Sequence, residues 1–340
     1  MTNSVDRNEI ISFARAADGS LEQGRRFATG GRGTGGVTDP LESQGSLTLS
    51  QNHSLLFAVN GGSGELSVFR VHGSQLELAD KVPSGGAEPN AVAQHGNLVY
   101  VLNVGGSSSV VGFTLSAEGR LHPIPGSTRF LTTNNSGAAS LAFSPDGGFL
   151  LVTERATNNI DVFPVQNDGT LGARVVNPDL APGAFALSFA PNGAALVSET
   201  GPAGGSNAST VSSYSVNADG TIAAISTGVP TLGNANCWNA VTPDGRFVYV
   251  SNAGSSTISG FAIGATGALT AVGGTVLGFN PAGSTNLDIA VSADSKFLYT
   301  LNSGAGTIGI FGIQQDGSLI GLGDATGLSA SVGFNGIAAF

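Results

Sequence analysis

Two glutamates, Glu154 and Glu199, occupy a place that the rest of the chain gives to asparagine. The matching positions are Asn3, Asn60, Asn103, Asn252 and Asn302, most of them closing a short apolar run such as Tyr249-Val250-Ser251-Asn252. Asparagine there needs no functional explanation, because its amide hydrogen-bonds its own turn. Glutamate in two consecutive units breaks the pattern and admits two readings. Either the carboxylate accepts the same backbone donors, or Glu154 and Glu199 form a carboxylate pair near the mouth of a channel. In the second case one of them acts as general base or acid with a pKa tuned by its neighbour.

Other candidates fall on the same end of the units. Arg155 follows Glu154, and Arg32 lies in the run Gly30-Gly31-Arg32-Gly33-Thr34-Gly35-Gly36. Two arginines there would hold a substrate carboxylate or polarise a carbonyl. The glycine run lacks the strand-to-helix setting of a phosphate-binding loop. Trp238, the single tryptophan, is expected either to plug the channel or to wall an apolar ligand ring. Cys237 precedes it, and Asp288 stands where other units have Ser46, Ser140 or Ala186. A nucleophilic Cys237 would need a histidine beside it. His53, His72, His95 and His122 all fall in or beside turns of the opposite end, so neither a metal centre nor a histidine base is expected, and no cofactor motif is present.

These residues must be positioned by a repeat. Gly19, Gly73, Gly119, Gly169, Gly220, Gly267 and Gly317 recur about every 50 residues, each shortly after an aromatic residue and just before Leu or Ile. Asp-Gly at four of these sites supplies the positive φ of a tight hairpin turn. A second turn set interleaves with the first, as in Ser144-Pro145-Asp146-Gly147 and Thr242-Pro243-Asp244-Gly245. Each unit therefore holds two hairpins. In the fifth, strand a is expected over Asn239 to Thr242, b over Phe247 to Ser251, c over Thr257 to Ile263 and d over Ala268 to Gly273. Four short antiparallel strands per unit predict an all-β fold, a seven-bladed β-propeller of four-stranded antiparallel blades.

Residues 1–340 then form one domain whose closing blade combines about 1–30 with 329–340, pairing the two termini. Ile337 to Ala339 is expected as its innermost strand, beside a hairpin of Ile10 to Phe13 and Gly24 to Phe27. That blade is short of strand b, since only Met1 to Asn3 match it, and a chain start further upstream is expected. In such a ring the d-to-a and b-to-c connections gather on the end where sites usually lie.

Composition agrees. Of 340 residues 52 are glycine and 11% are charged, which suits many turns and buried strands. No apolar run approaches the roughly 20 residues of a membrane span. A formal charge of −10 offers no basic stripe, so neither nucleic acid nor a membrane surface is an expected partner. One cysteine excludes an internal disulfide and leaves the compartment open.

Laid out unit by unit, the chain resembles the lactonase-family seven-bladed propellers, which include propeller-type 6-phosphogluconolactonases and 3-carboxy-cis,cis-muconate lactonizing enzymes. The Ser144-Pro145-Asp146-Gly147 and Thr242-Pro243-Asp244-Gly245 turns, the Tyr249-Val250-Ser251-Asn252 strand end and the Asp316-Gly317-Ser318-Leu319 hairpin carry the resemblance over nearly the full length. It implies a site of Arg and Glu around the central channel, here Arg32, Arg155, Glu154 and Glu199, and departs from the family in lacking a histidine at that end. The expected function is metal-independent lactone chemistry on a small neutral or carboxylated molecule, with Trp238, Cys237 and Asp288 shaping the site. A phosphorylated substrate would call for more cations than this end offers. The competing reading is a non-catalytic propeller that holds a protein segment or a glycan.

Overall fold

The computed structural model describes residues 1–330 and 332–340, and the described residues contain strands and turns but no helix. Blade 5 shows how the sequence builds the unit. Strand a is Asn236–Val241, b is Phe247–Asn252, c is Thr257–Ile263 and d is Leu269–Phe279, hydrogen-bonded in that order. In its first turn the Thr242 hydroxyl donates to Asp244 Oδ1 at 2.6 Å. Five other blades, over residues 47–83, 87–130, 138–178, 184–230 and 286–325, repeat the arrangement. Blade 2 splits its outer strand into Leu121–Pro123 and Arg129–Phe130. The closing blade makes the seventh, so the ring is the seven-bladed β-propeller that the repeat predicts.

Strand b is buried on both faces in the six complete blades, apart from its first residue in blades 2 and 3 and its last two residues in blade 2. That burial explains its unbroken apolar runs, since each face packs against a neighbouring blade. The repeated glycine follows from the same packing. Gly317 sits at φ +85° in the blade 6 turn, and a Cβ there would lie 2.3 Å from the Phe247 ring of blade 5. Its carbonyl accepts the Tyr249 hydroxyl at 2.8 Å. Tyr100 and Tyr299 bond Gly169 and Gly19 in the same way, so three of the blade junctions carry this pin. Gly317→Ala is accordingly expected to cost more than about 2 kcal/mol, from positive-φ strain and overlap with the ring. Gly274→Ala, in open space, should stay within about 0.5 kcal/mol. Urea denaturation of both variants checks this.

The closing blade departs from its expected form. Glu9–Arg15 and Leu21–Ala28 form the anticipated hairpin, with Ile10 opposite Phe27. Residues 337–339, however, do not pair with it. Met1 and Thr2 stand between. The Asn335 amide donates to Met1 O at 3.1 Å, the Met1 amino group donates to Gly336 O at 3.3 Å, and the Thr2 amide donates to Glu9 O at 2.8 Å. Met1 and Thr2 thus hold the place of the last residues of a strand b. Where its earlier residues would run there is a cavity of about 410 Å³.

Candidate functional site

At the inner corner of each blade the strand-b terminal residue ties strands and blades together. Asn60 donates to Ser67 Oγ at 2.8 Å, and its Oδ1 accepts from Thr29 Oγ1 of the closing blade at 2.6 Å. Asn252 donates to Ser259 at 2.9 Å in blade 5. Glu154 takes this role in blade 3. Its carboxylate accepts the Thr132 amide at 2.9 Å, the Thr132 hydroxyl and the Thr157 hydroxyl at 2.5 Å. Asp161 occupies the place of Ser67 and Ser259, and its pKa is pushed up to about 7, by burial first and by the Glu154 charge second. Arg174, 3.5 Å away, offsets part of that.

Blade 4 repeats the substitution in another form. Glu199 accepts the Thr210 hydroxyl at 2.8 Å on one oxygen, while its other oxygen has no partner. Burial, and then the Asp179 charge, push its pKa up to about 8. Asp179 itself is raised to about 6 by burial, although it accepts the Tyr214 hydroxyl at 2.5 Å and the Leu180 amide at 3.0 Å. Glu154 and Glu199 are both wholly buried. The expected pair at the channel mouth is therefore corrected: each lies inside the wall, in its own blade junction. Strand b is second from the channel, and side chains at its end turn between blades.

The channel mouth is filled by the long connection from the closing blade to blade 1. Ser43 Oγ donates to Asn90 O at 2.7 Å, the Gln44 amide donates to Ala139 O at 2.9 Å, and Gln44 Oε1 accepts the Asn239 amide at 2.9 Å. Trp238 Nε1 donates to Ser43 O at 3.0 Å, and its ring meets Phe185 edge-on with centroids 5.4 Å apart. Trp238 is thus buried packing beneath this plug. Cys237 is buried beside it, with its thiol pKa pushed up by burial and by Asp39, so it is no thiolate. Asp288 lies deeper, its two oxygens accepting the amides of Ile289 at 2.8 Å and Ile337 at 3.1 Å, and burial raises its pKa to about 7. It lines a channel cavity of about 350 Å³ below the plug.

Arg155 reaches the mouth. Its guanidinium donates to Glu42 at 2.6 Å, lies 5.8 Å from the Phe185 ring centroid, and is 38% exposed, so it is open to a ligand. Arg32 is exposed elsewhere, on a backbone held by Ser63 of blade 1, and does not join this cluster. Asp39, on the plug, accepts from Asn335 Nδ2 at 3.0 Å. Burial raises its pKa to about 6, with Glu42 adding to the shift and Arg155 opposing it. The sequence reading missed Asp39 and Glu42. Their signal was the length of that one connection, residues 29–46, against 84–86 between blades 1 and 2.

Among the described residues no group of three or more His, Cys, Asp or Glu is placed to hold a metal ion, and no helix is long and apolar enough to cross a membrane. No protein-family profile and no curated protein sequence matches the chain. Solved structures do. A candidate 6-phosphogluconolactonase from Bacteroides uniformis is similar with a TM-score of 0.67 and 21% identity over 94% of this chain and 97% of that one. The periplasmic gluconolactonase of Pseudomonas aeruginosa gives a TM-score of 0.66 and 19% identity over 96% of each chain. A protein of unknown function from Desulfotomaculum acetoxidans gives 0.67 and 16% over 95% and 93%. At these identities the likeness carries the fold.

Proposed function

We propose that the plugged mouth is the site of lactone chemistry, either hydrolysis of a small neutral or singly carboxylated lactone or the reverse cyclisation. One observation carries the reading: Asp39, with a pKa near 6, and the half-exposed Arg155 share the mouth of a propeller whose solved likenesses include a gluconolactonase. A carboxylate with a pKa close to the working pH suits general-base catalysis. Asp39 takes a proton from water as its oxygen attacks the lactone carbonyl carbon, and Arg155 offsets the charge on the resulting oxyanion. Collapse breaks the ring C–O bond, and the departing alkoxide regains the proton from Asp39. A substrate carboxylate would take the place of Glu42 on Arg155.

In a lactone panel, Asp39→Asn is expected to lower kcat by about 10²–10⁴. The wild-type kcat/KM should rise with pH through a limb near 6. Glu154→Gln and Glu199→Gln should leave turnover within about twofold, because both side chains act inside the wall. Loss of activity in either of these with Asp39→Asn unaffected would return the base to the junction glutamates and sink the present assignment. With Arg155 the one cation in this mouth cluster, 6-phosphogluconolactone should be a poor substrate. The plug also fills the channel mouth, which favours the second reading, a binding face for a protein segment or glycan. A panel without turnover, together with saturable binding on a glycan or peptide array, would establish that reading instead.

A further inference from the structure

In the channel cavity below the plug, Asp288 is the one carboxylate among the described residues of the lining, and no lysine or arginine joins it there. Gln44 roofs the space from the plug. Exposed Gln51 and half-buried His53 mark the end where the cavity meets solvent, opposite the mouth. Asp288 sits on the bulge between Leu287 and Ile289 in the first strand of blade 6, at φ +51°, and a bulge re-aims the side chain it carries. The scaffold does not require a carboxylate at this point, since Ser46, Ser140 and Ala186 serve the matching positions. Its oxygens accept the Ile289 and Ile337 amides, which use two of the roughly four acceptor sites that a carboxylate offers.

We propose that this cavity binds a small primary alkylammonium ion, entering from the His53 end, with its ammonium group on Asp288 and its hydrocarbon body along Leu49, Ile289 and Ala290. The charge follows from the lining, one carboxylate in a confined channel, and from a chain of net charge −10 that draws cations toward it. A bare metal ion fits worse. Calcium takes about six to eight oxygen ligands, and the Gln44 side-chain oxygen is already occupied by the Asn239 amide. An ammonium group needs few acceptors and brings carbon to the apolar wall. At about 30 Å³ for each water-sized unit, the cavity admits roughly ten heavy atoms, which sets a body of about four to eight carbons. The plug stands between this site and the mouth, so the inference does not rest on the lactone reading.

The probe is n-hexylamine, titrated calorimetrically into chain 1–340 at about 0.15 M salt, which screens the surface carboxylates. Saturable one-to-one binding is expected. The neutral n-hexanol, of the same shape, should bind at least about tenfold more weakly. Burial raises the Asp288 pKa to about 7, whereas an alkylammonium stays charged, so amine affinity should rise roughly tenfold from pH 6 to pH 8.5. Hexanol affinity should stay level. The other titratable groups that act on Asp288 are Asp39 and the Met1 amino group, the latter lowered by burial to about 5, and His53 stands at the open end. Asp39→Asn and His53→Gln should keep the rise with pH. Asp288→Asn should remove it and weaken amine binding at least about tenfold. The hexanol and pH comparisons use the wild-type chain, so they decide the matter should Asp288→Asn fail to fold. Equal binding of alcohol and amine would mean that no charge is read, and amine binding unchanged in Asp288→Asn would place the ligand elsewhere. Either outcome, a level pH profile for the amine, or an absence of binding overturns the proposal.

Discussion

Deleting residues 335–340 is expected to lower the melting temperature by at least about 8 °C. The segment supplies the Asn335 and Gly336 bonds to Met1, the Ile337 amide that satisfies buried Asp288, and the Asn335 amide that satisfies Asp39. Its loss leaves two acceptors unpaired, at roughly 1–3 kcal/mol each, and opens the inner edge of the closing blade. At roughly 2–4 °C per kcal/mol for a domain of about 150–250 residues, the combined effect far exceeds that of losing a frayed tail. Differential scanning calorimetry decides the matter. A change within about 2 °C would show that the termini do not clasp the ring.

Stability is expected to peak near pH 5 and to fall by pH 8.5, the reverse of a protein held by ionised carboxylates. Glu199, Asp161, Asp288, Asp179 and Asp39 all have folded pKa values raised by burial, from ordinary values of 3.8 or 4.5 to between about 6 and 8. The folded state therefore binds more protons than the unfolded chain from about pH 4 upward. Their stabilisation is complete below the unfolded values and is lost as pH rises through the folded ones. The Met1 amino group works in the opposite sense, since burial lowers its pKa from 8.0 to about 5. The exposed turn aspartates, such as Asp146, have lowered values and contribute only as pH falls further. The raised carboxylates outweigh the single amine. The melting temperature at pH 5 should exceed that at pH 8.5 by about 5 °C or more. Glu199→Gln combined with Asp161→Asn, which keeps both sites neutral, should flatten the slope. A melting temperature that is level or rising from pH 5 to 8.5 would contradict these burial effects.

The blades were legible in the sequence because their determinants are local. Gly317 must be glycine for a turn closed within its own hairpin, and Asp316 Oδ1 accepts the Ser318 amide at 2.9 Å two residues away. The hairpin of the closing blade followed for the same reason. The course of residues 337–339 did not, because it depends on how Met1 and Thr2 fill a strand that is present only at its end. Glu154 and Glu199 stood out as breaks in a pattern, yet sequence could place them only along a strand. Which side of the wall they occupied was set by Thr132 from blade 2 and by Asp179 from blade 3. Asp39 stayed hidden because what buries it, Asn335, is 296 residues away.

The plug also fixes the order in which this protein can be assembled. Ser43 and Trp238 are 195 residues apart, and Met1 and Gly336 are 335 apart. During synthesis, blades 1 to 4 can form by local pairing as they emerge, while the connection that will fill the channel waits for the residues it must meet. The hub is laid before the rim exists but seated only when the rim arrives. Asp39 is satisfied later still, when Asn335 brings the last blade home. The mouth that holds Asp39 and Arg155 is thus among the last parts to take shape, so a chain cut short before the final blade can carry many well-formed sheets and still have no completed mouth.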